Sequence, residues 1–160
     1  MTYFEKPGRE NVDETLKLAK ERALELGIKN VVVASTRGFT AEKAFEVFKD
    51  TDIVLTIVGI GRESFPQDLL GKLEEKGHSV CFSREVPYEY PELVRSAYRR
   101  FCEGVKVAVE IPMIAVDARL ISAEEDVVSV GKWDTAMVIK PAKSDVFSEL
   151  RIKELICKPR

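Results

Sequence analysis

A chain of 160 residues fits one domain, because a single core of that length already removes about two thirds of the unfolded surface from water. A hydrophobic share of 45%, a charged share of 32% and a net charge of -2 describe an ordinary globular chain and argue against a general binder of nucleic acid or of membrane surfaces. No stretch is long and apolar enough to cross a bilayer, and Met1 to Lys6 lacks the layout of a secretory signal, so a cytoplasmic location is the expectation.

Asn11 followed by Glu14 has the form of a capping box, and Leu16, Leu18, Ala19, Ala23 and Leu26 recur at helical spacing until Gly27. Val31 to Ala34 is a β-branched run without alternation, the pattern of a strand covered on both faces, and Thr40 is expected to cap a helix through Phe48. Ile53 to Val58 repeats the strand pattern. Ser64 with Gln67 forms a second capping box around Pro66, opening a helix to Lys76, before Gly77 and a strand at Ser79 to Phe82. Pro91 opens a helix to about Glu103. Val105 to Val116 begins like a strand, yet its length and its run on to Leu120 favour a helix, with Pro112 the place for a kink. Strands at Val127–Val130, Thr135–Ile139 and Arg151–Cys157 close the chain, the first two joined by the hairpin-length link Gly131-Lys132-Trp133-Asp134. Ala142 to Ser148 reads as the most mobile loop. The order predicts a single α/β domain over residues 1–160, three layers α/β/α with a mostly parallel sheet and an antiparallel C-terminal edge.

The three cysteines, Cys81, Cys102 and Cys157, are widely spaced and odd in number, and read as small buried residues rather than as disulfides or metal ligands. With one histidine, His78, placed at a strand entrance, no metal site is expected. A single glutamine and two asparagines beside abundant Lys and Glu match the bias of proteins from hot environments.

Ligands of open α/β sheets bind beyond the carboxyl ends of the parallel strands. The segments leaving the predicted strands carry Arg9, Arg37, Arg62, Arg84 and Lys132, whereas entering turns such as Lys49 to Asp52 and Glu124 to Asp126 are mixed or acidic. The sharpest element is Ser35-Thr36-Arg37-Gly38-Phe39-Thr40-Ala41, where hydroxyls, a glycine and a helix start meet in one turn suited to a phosphate. A bulky residue at Gly38 is expected to remove phosphate binding and leave the fold intact. The turn lacks the lysine and spacing of a Walker loop and the three glycines of a dinucleotide fingerprint, and a well-capped turn that holds nothing is the alternative. Glu110 and Asp117, seven positions apart, share a helix face roughly 10 Å apart along the axis. Asp117 is a candidate to orient a ligand hydroxyl or to hold Arg37, the alternative being a solvated stripe or a cap on neighbouring backbone. Trp133 is placed either to stack on a base or flavin ring or to cover the hairpin.

The run from Glu10 to Ala41, with Glu14-Thr15-Leu16, Gly27, Val31-Val32-Val33 and the Ser35 turn, resembles the C-terminal domain of pyruvate kinase, as do Asp126 to Gly131 and Asp134-Thr135-Ala136. Tyr3 to Asn11, Val107 to Ile111 and Lys153 to Arg160 resemble a family of stand-alone archaeal proteins with that domain's fold. The resemblance implies that the Ser35 turn cradles a phosphate of a sugar-phosphate effector, with the strands and glycine loop from Asp126 to Ala136 closing the site. With the cationic exits, the leading expectation is a phosphorylated metabolite, or a nucleotide such as FMN, held by Ser35, Thr36, Arg37, Gly38, Thr40, Gly131, Lys132, Asp134 and Thr135. Arg9, Asn11, Arg62, Glu110, Asp117 and Trp133 stand as supporting candidates. Four departures follow from the same comparison: short segments at Gly59 to Glu63 and Ser83 to Pro87 and a short loop before Asp134, which predict less wall around the phosphate, and Arg119 where the family has a glycine. Pyruvate kinase catalysis is not expected, since the likeness is to the regulatory domain alone. A small flavin- or nucleotide-dependent enzyme and a structural subunit that self-associates into a homo-oligomer through its strand-rich C-terminus are the rival readings.

Overall fold

The computed structural model describes residues 1–160. Seven strands form one sheet in the order β1-β7-β6-β5-β2-β3-β4: β1 (Thr2–Phe4), β2 (Asn30–Ala34), β3 (Val54–Gly59), β4 (Ser79–Phe82), β5 (Val127–Gly131), β6 (Thr135–Lys140) and β7 (Arg151–Pro159). All neighbours pair in parallel except β6, which is antiparallel to both β5 and β7. The C-terminal strands β5, β6 and β7 form successive antiparallel pairs, as the sequence order implied, and β1 extends the sheet one strand further by pairing in parallel with β7.

The β-branched strands alternate their side chains between two cores, as a sheet buried on both faces must. Val31, Val33, Leu55 and Ile57 face one core with α1 (Val12–Leu26), α2 (Phe39–Phe48) and α3 (Gln67–Glu75). Val32 and Val58 face the other, beneath α4 (Glu92–Arg99) and α5 (Glu103–Asp117). The fold is thus a three-layer α/β/α domain.

Helix α5 is where periodicity fails to report the element. Val105, Ala108, Val109, Ile111, Met113, Ile114, Ala115 and Val116 are all buried, so almost no polar face remains to give a helical period. Pro112 lies inside it and cannot donate to the carbonyl of Ala108. The buried hydroxyl of Ser129 on β5 donates to that carbonyl instead, at 2.7 Å, so the freed acceptor is satisfied from the sheet.

Several predicted caps take another form. Asn11 makes no cap; its Nδ2 donates to the carbonyl of Lys6 at 2.8 Å, and a 3-10 turn at Arg9–Asn11 leads into α1. Thr40 lies within α2, and it is Ser35 Oγ that accepts the amide of Ala41 at 3.1 Å. The Ser64 and Gln67 pair is no box either, since Pro66 precedes α3 and Gln67 Nε2 donates to the carbonyl of Phe65. The predicted helix to Glu103 stops at Arg99, and a new helix starts at Glu103. Arg119 takes the left-handed conformation, φ 62, that a glycine would adopt more easily. The segment read as a mobile loop contains a 3-10 helix, Ser144–Glu149, and its Ala142 and Ser144 are buried. Cys81 and Cys157 are buried, with thiols pushed up by burial to about 12 and about 11, while Cys102 is half-buried.

Candidate functional site

β1 to β5 run the same way, so the five cationic exits share one edge of the sheet, yet they divide into two groups. Arg9, Arg37 and Lys132 line a cleft of about 660 Å³. Arg62 and Arg84 do not. The loops after β3 and β4 lie side by side, with the Arg84 amide donating to the carbonyl of Ile60. Arg62 there donates through Nε and Nη2 to Glu85 at 3.0 Å, and Arg84 donates to Glu63 at 2.6 Å. Two crossed ion pairs thus consume both cations, a pairing that requires two distant loops to be neighbours.

The Ser35 turn forms one wall. Ser35, Thr36, Arg37, Phe39 and Thr40 reach the cleft. The amide of Ala41 donates to Ser35 and that of Glu42 to the carbonyl of Gly38, while no acceptor within the chain is found for the amides of Thr36 to Thr40. Those donors sit at the N-terminus of a ten-residue helix, where the helix dipole adds positive potential. Arg9 lies over the Phe39 ring, its guanidinium carbon 3.7 Å from the centroid, and Lys132 lies over the Trp133 ring at 5.1 Å. None of Arg9, Arg37 and Lys132 makes an ion pair, unlike Arg62 and Arg84. Lys132 also has φ 60, a left-handed backbone that costs a side-chain-bearing residue about 1 kcal/mol.

Gly38 is buried with φ 92, but its lack of a side chain serves packing. A Cβ there would stand 2.9 Å from Cδ of Pro66 and 3.0 Å from Leu69 Cδ2, so the glycine lets α2 and α3 meet and does not itself line the cleft. Gly131, Asp134 and Thr135 stand behind the cleft as well. Asp134 accepts the Gly8 amide at 3.0 Å, anchoring the segment that carries Arg9, and Thr135 donates to Asp134 at 3.3 Å. A Cβ on Gly131 would run into the carbonyl of Gly104 and the amide of Ala108, so the first turn of α5 is seated directly on the β5–β6 turn. Asn11 is turned toward Lys6 and away from the cleft.

The opposite wall is one that sequence reading largely missed. Helix α5 presents Glu103, Lys106, Val107, Glu110, Ile111 and Ile114 to the cleft, joined by Tyr88 and Arg95. Lys106 and Glu110, each 8% exposed, pair at 2.7 Å one helical turn apart. Tyr88 donates to the other Glu110 oxygen at 2.7 Å, and Arg95 Nη2 stands 3.7 Å from it. Burial first, and the Glu110 carboxylate second, push the Tyr88 hydroxyl up to about 12, so it stays a donor at neutral pH. A lysine four positions before a glutamate within an otherwise apolar helix was the available signal; Tyr88 and Arg95 gave none, because long-range contacts bring them in. Asp117 neither enters the cleft nor reaches Arg37. It accepts the Ser144 hydroxyl at 2.6 Å and the Ser144 amide at 3.3 Å, capping neighbouring backbone. Trp133 both lines the cleft and packs on the core beneath the hairpin.

The lining holds five cations, Arg9, Arg37, Arg95, Lys106 and Lys132, and two carboxylates, Glu103 and Glu110, a local charge of +3 within a chain of net charge -2. No group of three or more His, Cys, Asp or Glu side chains gathers to hold a metal ion. No helix is long and apolar enough to cross a membrane.

No family model matches the chain. Its structure is similar to part of pyruvate kinase from Cryptosporidium parvum in three structures of that enzyme: at 15% identity over 79% of this chain with a TM-score of 0.47, at 14% over 83% with 0.49, and, for the kinase in complex with ADP, at 12% over 98% with 0.46. This chain spans 21% to 25% of the length of those kinases. The likeness is one of chain course over that portion, and neither ligand nor activity passes across at such identities.

Proposed function

We propose that the cleft binds a phosphorylated small molecule, a metabolite or a nucleotide such as FMN, with its phosphate at the Ser35 to Thr40 turn and without pyruvate kinase catalysis. The observation that carries the reading is the coincidence of two unspent sets of donors. The amides of Thr36 to Thr40 have no acceptor in the chain, and Arg9, Arg37 and Lys132 face the same space without a carboxylate partner. A phosphate dianion satisfies both sets at once, through helix-terminal amides and charge-assisted bonds. Although the flanking loops are short, α5 and Tyr88 supply the wall, and a cleft of about 660 Å³ falls within the ordinary range for small-molecule sites.

Calorimetric titration with inorganic phosphate, FMN, AMP and fructose 1,6-bisphosphate tests this. Saturable one-to-one binding of at least one organic phosphate, competed by inorganic phosphate, is the expected result. Absence of binding by all four in folded protein overturns it.

A further inference from the structure

The proposed phosphate turn occupies only one side of the cleft, and the other side carries a charged group that a phosphate there does not use. Arg95, Lys106, Glu110 and Tyr88 sit on the α4–α5 face of the sheet, whereas the Ser35 turn belongs to the α2 face. The apolar part of the lining is Ala34 and Val58, at the ends of β2 and β3, with Val107, Ile111 and Ile114 of α5. The cleft-facing stripe of α5 from Glu103 to Ile114 runs about 16 Å at the helical rise. The cleft thus has a polar group on each side of the sheet edge.

The charges at the two sides differ in number. Arg9 and Arg37 beside the turn, and Lys132 on the β5–β6 turn, pair with no carboxylate. Across the sheet, Arg95 and Lys106 face one carboxylate, Glu110, which leaves a single positive charge; Glu103 is taken up by Arg99 at 3.0 Å. The ammonium of Lys106 makes one side-chain hydrogen bond, to Glu110, so two of its three protons are free, and the terminal nitrogens of Arg95 make none shorter than the 3.7 Å approach to Glu110. A buried lysine with spare donors beside an arginine matches a monoanionic, planar acceptor such as a carboxylate.

Resting on the phosphate reading above, we infer that the ligand is a phosphorylated carboxylic acid that straddles the sheet edge, its phosphate on the Ser35 turn and its carboxylate on Lys106 and Arg95. Glu110 and Tyr88 position the Lys106 ammonium and do not themselves take the anion.

The test compares probes that differ only at the far end: 3-phosphoglycerate against glycerol 3-phosphate, and 6-phosphogluconate against glucitol 6-phosphate, with inorganic phosphate as reference. In at least one pair the acid binds tenfold or more tighter than the alcohol. Lys106→Met and Arg95→Gln each reduce that preference to below threefold while phosphate affinity stays within twofold. Lys106→Met with Glu110→Gln serves where the single variant fails to fold, because it removes the buried charges together. Equal binding of acid and alcohol in both pairs, or a Lys106→Met loss shared by inorganic phosphate, overturns the inference while the phosphate reading stands. Failure of phosphate and all four organic probes to bind overturns the inference, and failure of FMN, AMP and fructose 1,6-bisphosphate as well overturns the phosphate reading with it.

Discussion

Replacing Gly38 by alanine separates a packing role from a ligand role at the turn. The new methyl meets Pro66 Cδ at 2.9 Å, and that ring is rigid and fixed in front of α3, while Leu69 Cδ2 at 3.0 Å can move. The backbone at φ 92 adds a left-handed penalty of about 1–2 kcal/mol, and overpacking against the ring adds about 1–3 kcal/mol. The sum, about 2–5 kcal/mol, corresponds to a melting temperature lower by roughly 4–20 °C for a chain of this size. Thermal melts followed by circular dichroism read that shift, and calorimetry well below the melt reads phosphate binding, which stays within about threefold because Arg37, Lys132 and the Ser35 hydroxyl are untouched. A variant as stable as the parent that no longer binds phosphate refutes the reasoning, since the glycine would then serve the ligand's approach and not the α2–α3 contact.

Arg37→Ala, at an exposed position with no ion pair to lose, leaves the melting temperature unchanged within about 2 °C and weakens phosphate binding by about 1.5–3 kcal/mol, with solvent screening favouring the lower figure. Equal affinity in titration places the phosphate elsewhere. Lys132→Gly relieves a left-handed residue, so the melt rises by a few degrees, about 1 kcal/mol, while phosphate affinity falls; a melt that does not rise contradicts the strain. Ser129→Ala leaves the carbonyl of Ala108 without a donor inside the fold, and urea denaturation is expected to show a loss of about 1–3 kcal/mol, with no loss if another group takes over. His78 accepts the Leu55 amide through Nδ1 at 3.0 Å, and burial holds its pKa below 6.5. The unfolded chain therefore takes up the proton first, so this contribution is whole above about pH 6.5 and is lost as pH falls toward the depressed folded value. His78→Gln should flatten the change in melting temperature between about pH 7.5 and about pH 5.5, and an unaltered slope assigns the pH dependence to other groups.

The parts of the fold legible in the sequence were those fixed by neighbours along the chain. β2 and β3 declared themselves because strands covered on both faces carry unbroken β-branched runs, and Gly27, at φ 67, ends α1 as a C-terminal glycine should. The cap motifs misled because Asn11 and Gln67 found nearer carbonyls, an outcome set by the 3-10 turns that precede both helices. At the site, the Ser35 turn could be located from its own residues. The difference between Arg37 and Arg62 could not, since it depends on Glu85, 23 positions away, lying within reach of one and not the other. Lys106 was legible only as a lysine four positions before Glu110 in an otherwise apolar helix, and that it faces the cleft depends on Tyr88 and Arg95, which long-range contacts bring to Glu110.

The contact of Gly104 with Gly131 also determines where the cleft can yield. Backbone meets backbone there, so α5 and the turn bearing Lys132 move as one piece, and the wall they form is preorganised for whatever it holds. On the β3 and β4 side the equivalent fastening is the crossed pairs Arg62–Glu85 and Arg84–Glu63, which lie in solvent and weaken with ionic strength. The two sides are thus fastened differently: one by steric contact, the other by the Arg84–Ile60 backbone hydrogen bond and by exposed ion pairs that salt weakens.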